Sequence, residues 1–187
     1  MYKFVKKIKL KKYYYQYKPF LLFLGSFFLS YILLTSVYQY YLSGFETNKV
    51  DGITRVVSNN TAWILSYFTT DSYVLESGGD AYMKLFYQNH YVARIVEGCN
   101  AVSVLILFSS FVISFAGRWI VTLCYVVGGC LLIYILNVCR IAALSALIFN
   151  YPEQEHFLHG VIFPLSIYGV VFLLWLVWVR KFSRYAQ

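Results

Sequence analysis

Charge is scarce in this chain: 13% of its 187 residues are charged, against 60% that are apolar. With a mean hydropathy of +0.60, that balance excludes a soluble domain of this length. Cysteine is scarce too, and Cys99, Cys124, Cys130 and Cys139 show no spacing that marks a disulfide framework. No internal repeat or low-complexity stretch is visible. The chain has three histidines, and the HxxH pair His156 and His159 has no well-placed third or fourth ligand. No metal and no cofactor is therefore expected.

What the chain does have is long apolar runs. Four of them, at 19–42, 98–117, 119–149 and 160–179, offer the roughly 20 residues needed to cross ~30 Å of hydrocarbon. Backbone in lipid must satisfy its own hydrogen bonds, so each run is expected to be helical. The expected fold is all-α: a polytopic helical membrane protein with about four spans and an interfacial outer segment. Its layout reads as a basic tail at 1–18, a first span at 19–42, an outer segment at 43–97 and a second span at 98–117. A long third span at 119–149, an outer loop at 150–159, a fourth span at 160–179 and a basic tail at 180–187 complete it. The first apolar run is far longer than the core of a secretory signal and reads as an uncleaved signal anchor.

The distribution of the few charges gives an orientation. Eleven of the 16 Lys and Arg lie in the first tail, at Arg118, and in the last tail. All eight Asp and Glu fall in the two segments expected outside. The positive-inside rule then puts both termini in the cytoplasm. The basic start suits attraction to the anionic lipid of a bilayer, not nucleic-acid binding.

Within the outer segment, 53–68 has helical apolar spacing with aromatics at its end and is expected to lie in the interface. Residues 71–80, with Gly78 and Gly79, read as a loop. Residues 81–97 then run into the second span with Tyr82, Phe86, Tyr87 and Tyr91 on one side. Helix along the whole of 119–149 would measure about 46 Å, long for one upright span, and Gly128-Gly129 permits a kink. Arg140 alone interrupts that run with charge, near its outer end.

Arg140 is the hardest residue to explain blandly. An arginine among apolar residues costs a few kcal/mol even on lenient insertion scales, which marks function by default; the plain alternative is snorkelling to headgroups. Asn137 lies one turn below it on the same face. Cys99 opens the second apolar run, where a helix amino terminus favours the thiolate, although a free cysteine also serves as a small buried hydrophobe. His159 stands last before the fourth run, a position for a general base near neutral pH, with His156 as its alternate. Charge bookkeeping brings Cys99, Arg140 and His159 to one membrane face.

Gly98-Cys99-Asn100, then Asn137-Val138-Cys139-Arg140-Ile141, then His159-Gly160 resemble the exosortase/archaeosortase family, and the short basic-headed chain is similar to its exosortase F branch in Bacteroidetes. The family is one of polytopic transpeptidases that process carboxy-terminal sorting signals. The resemblance implies a catalytic trio of Cys99, Arg140 and His159, with Asn137, Asn100 and His156 in support. It implies secreted substrates that end in a short motif, a transmembrane helix and a basic cluster. It also implies a thioacyl intermediate passed to a glycan, a lipid or water. The site would face the periplasm from a bacterial inner membrane. Asn100-Ala101 stands where the family usually has a small residue followed by glycine, and the chain has fewer spans than larger members. The competing readings are a non-enzymatic scaffold subunit and an intramembrane metallopeptidase using His156 and His159.

Overall fold

The computed structural model describes residues 2–115 and 117–182, with side chains from Gln16 onward except that of Phe163. The side chains of the first six lysines and the last five residues of the basic carboxy-terminal tail lie outside the described set. Six α-helices and one small sheet follow in order: α1 (Tyr2–Leu42), α2 (Gly52–Ser66), β1 (Tyr73–Glu76), β2 (Met83–Tyr87) and β3 (His90–Ile95). Then come α3 (Val102–Ser114), α4 (Trp119–Asn150), the single turn α5 (Glu155–Phe157) and α6 (Phe163–Lys181). A 3-10 turn, Glu97–Cys99, precedes α3, and a π turn, Leu158–Ile162, precedes α6.

Among the described residues three helical stretches are long and apolar enough to cross a membrane: Gln16–Leu42, Trp119–Asn150 and Pro152–Lys181. The run at 98–117, expected as a fourth span, is not among them. Its regular helix has only 13 residues, about 20 Å of rise against ~30 Å of hydrocarbon. The shortening has a local cause. Ala101 adopts φ 65°, ψ 5°, a left-handed conformation that separates the Glu97–Cys99 turn from α3. At the other end Phe115 leaves helical geometry.

The contacts between helices fix a common register. Phe23 of α1 meets Phe111 and Phe115 of α3, with ring centroids 5.9 and 4.3 Å apart. Phe111 stacks on Trp175 of α6 at 4.3 Å, and Tyr125 of α4 lies 4.8 Å from Trp178. Phe108, Val112, Ile133, Ile167, Val171 and Trp178 form the buried core of this helical layer. At its centre α3 and α4 cross at Gly129, where an added Cβ would run into the Phe108 ring. The neighbouring Gly128 is open. α4 runs through both as one continuous helix of 32 residues.

A second core sits beyond the outer ends of these helices. Val50, Val57, Leu65, Met83, Leu85, Tyr87 and Ile95 pack there on Val138, Ile141 and Ala142 of α4. The last third of α4 thus rises out of the helical layer into a cap, which accounts for its excess length. In α2, Thr54, Val57, Ser58, Thr61, Ala62 and Leu65 recur at helical spacing and are buried on one face. Asp51 caps the helix by accepting from the Thr54 N–H at 2.9 Å. Asn60 Nδ2 donates to Tyr134 Oη at 2.7 Å, joining α2 to α4.

The sheet corrects the all-α expectation. Three antiparallel strands in the order β1-β2-β3 occupy the segment expected as loop and helix run-in. β2 buries Met83, Leu85 and Tyr87 and turns Lys84 and Phe86 outward, the period-two pattern of a strand lying on a core. Gln88 and Asn89, at φ 51° and 61°, make the two-residue hairpin turn to β3. Tyr73 and Phe86 stack across β1 and β2 at 4.8 Å. Arg55 of α2 bonds Glu76 of β1 at 2.7 Å, closing the cap on itself.

Candidate functional site

Cys99 ends the 3-10 turn between the cap and the helical layer, three residues ahead of α3. It therefore does not sit in the first turn of a long helix, where the sequence put it. The left-handed Ala101 intervenes. The cysteine is held through its backbone instead. Asn137 of α4, 1% exposed, donates from Nδ2 to the Cys99 carbonyl at 2.8 Å. That bond satisfies a buried amide and locks the turn onto α4.

One turn above Asn137, Arg140 is half-buried in a groove between α4 and α6. The groove has a volume of about 290 Å³ and is lined by Leu136, Cys139, Arg140, Ala143, Ser166, Ile167 and Val170. The Cys99 thiol and the Tyr168 phenol both lie within charge-interaction range of the guanidinium. The Arg140 Nε is buried and hydrogen-bonded to no described residue.

Asn100, 2% exposed, is the most heavily bonded side chain of the turn. Its Nδ2 donates to Tyr38 Oη at 2.8 Å and Thr54 Oγ1 at 3.2 Å, and its Oδ1 accepts from the Val102 N–H at 2.9 Å. The last bond caps the start of α3 in place of the side chain Ala101 lacks.

The histidines stand apart from this group. His159 and His156 line an exposed outer pocket of about 460 Å³ with Pro152, Glu153, Glu155 and Gly160. Neither lines the Arg140 groove. His90 lies in the hairpin, its Nδ1 within 2.8 Å of the Gln88 carbonyl. Of the trio, the structure brings together Cys99 and Arg140. It leaves His159 in the outer pocket beside His156.

No protein-family model, curated protein or solved structure matches the chain. The chemistry of the site is read from its own residues. The site offers a thiol, a fixed cation within charge-interaction range of it, and an apolar groove beside that cation. Among the described residues no group of three or more His, Cys, Asp or Glu gathers in metal-binding range. The four cysteines are free; Cys130 packs against Ser109 at 3.4 Å, while Cys124 is exposed and Cys139 lies on the groove wall.

Sequence reasoning named Cys99, Asn100, Asn137 and Arg140 but missed Tyr38, Thr54 and Tyr168. Tyr38 and Tyr168 are two of 19 tyrosines and read as members of an aromatic belt. No local signal separates them from the rest, because their importance lies in pairings across more than 20 residues of chain.

Proposed function

We propose that this chain is a membrane-embedded cysteine transpeptidase of the exosortase kind, cutting carboxy-terminal sorting signals of secreted proteins. The observation that carries the reading is the Arg140 guanidinium within charge range of a Cys99 whose own carbonyl is clamped by Asn137. In the proposed reaction the Cys99 sulfur attacks the scissile carbonyl carbon, and its proton passes to His159, with His156 as the alternate. Arg140 holds the oxyanion through its guanidinium. The C–N bond breaks, the amine leaves with the proton from the imidazolium, and the acyl group stays on sulfur as a thioester. An amine, a hydroxyl or water then attacks the thioester and restores the thiol. The apolar groove between α4 and α6 suits the helical part of a membrane-anchored signal, with the cut at its outer end.

The test is carboxy-terminal trimming of a co-expressed secreted protein that ends in a short motif, a transmembrane helix and a basic cluster. Cys99→Ala and Arg140→Ala should each reduce trimming about 10²-fold or more at unchanged protein level. His159→Ala should do the same, or else the His156→Ala/His159→Ala pair. Full trimming by Cys99→Ala would sink the proposal. The rival, a non-enzymatic membrane subunit, draws support from the separation of the two histidines from the Arg140 groove. It predicts indifference to all four replacements.

A further inference from the structure

The first helix reaches the thiol turn. Near the outer end of α1, Tyr38 is 7% exposed and its hydroxyl is used twice. It donates to Glu97 Oε1 at 2.8 Å and accepts from Asn100 Nδ2 at 2.8 Å. These two partners flank Cys99 in the chain. Asn100 extends the network to Thr54 of α2, and Thr54 is itself tied to Asp51. Asp51, Thr54 and Asn100 are all buried, and a buried polar network with every member bonded is rigid and costly to break.

The turn needs such support. Gly98 has open space where a side chain would be, so no side chain between Glu97 and Cys99 braces the turn. Glu97 also poses a chemical problem. A carboxylate two residues from a cysteine disfavours the thiolate whenever it swings toward the sulfur. Its bond to Tyr38 keeps it turned to α1. The charged group within interaction range of Cys99 is then Arg140 from α4, with Glu97 of its own turn held by Tyr38. Tyr168 of α6 stands against Arg140, and Asp51, ahead of α2, stands near Tyr38.

We infer that Tyr38 is a positioning residue for Cys99: its hydroxyl tethers the Glu97 carboxylate and the Asn100 amide, making α1 a working part of the thiol site. The consequence for catalysis rests on the transpeptidase reading, whereas the tether itself does not depend on it.

The experiment is alkylation of Cys99 by iodoacetamide across a pH series, in full-length protein in lipid nanodiscs with Cys124, Cys130 and Cys139 replaced by alanine. Tyr38→Phe should move the midpoint of the rate profile up by about half a unit to one unit. The rate at pH 7 should fall about three- to tenfold. When Glu97→Gln is already present, Tyr38→Phe should leave the midpoint in place, because the charge it releases is gone. Glu97→Asp keeps the charge but is too short for the tether, so it should reproduce the upward shift in a protein with Tyr38 intact. It serves as the reading if Tyr38→Phe accumulates poorly. An unmoved midpoint in Tyr38→Phe or Glu97→Asp overturns the inference, as does an equal shift with and without the Glu97 charge. No substrate enters this measurement, so a tether that holds while trimming ignores Cys99→Ala removes the proposed function and leaves the tether standing.

Discussion

At Cys99 the backbone and the side chain have different keepers. Asn137 holds the carbonyl, and the Arg140 guanidinium lies within charge-interaction range of the thiol. Two residues on, Ala101 sits in the left-handed region at φ 65°, where a Cβ costs about 1–2 kcal/mol and glycine costs none of it. Ala101→Gly should therefore stabilise the folded protein by about 0.5–1 kcal/mol, after the extra freedom it gives the unfolded chain. A rise in the thermal unfolding midpoint in detergent checks this, and a fall would show that the alanine methyl does more in the core than its backbone costs. Arg140 was legible in the sequence because a guanidinium stands out in an apolar run. Tyr38 was not, because among 19 tyrosines only its distant partners single it out.

Among elements, α4 carries the most information. Its length follows from its two environments: its first two-thirds pack with α3 and α6, and the remainder enters the cap core. The crossing with α3 depends on Gly129. Gly129→Ala would press a methyl into the fully buried Phe108 ring and should cost about 1–3 kcal/mol through overpacking. Gly128→Ala, in open space, should be neutral or stabilise slightly through helix propensity. Equal effects of the two on the unfolding midpoint would remove Gly129 as the crossing point. The sheet shows the opposite limit of legibility. Its strands have four to six residues, and its turn is Gln88-Asn89, lacking the glycine that usually announces a hairpin. Tyr82, Phe86, Tyr87 and Tyr91 then match a helical stripe as easily as a pleated one.

The whole molecule is a helical layer with a cap at one end, and its acidic residues gather at the cap, together with Lys49, Arg55, Lys84 and Arg94. Lys18, Arg118, Arg180 and Lys181 belong to the end at which Phe23 meets Phe115 and Tyr125 meets Phe182. Glu46, Asp51, Glu76, Glu97, Glu153 and Glu155 belong to the cap end. The positive-inside rule, applied to the basic amino-terminal tail and Arg118, predicts that the cap faces outward. In cells whose protein lacks its native cysteines, Asp80→Cys should react with a membrane-impermeant maleimide in intact cells. Lys181→Cys should react only after permeabilisation. The reverse pattern would invert the topology and move the thiol turn to the cytoplasmic face. Of the four apolar runs read from the chain, three lie in helices long and apolar enough for a membrane, because run length and charge are local properties that no partner alters. That α2 is packed under a sheet, and that Tyr38 and Asn137 brace the turn that carries Cys99, were decided only by tertiary structure. Those outcomes depend on contacts between residues 21 to 62 positions apart, and no short window of sequence contains both sides of such a contact.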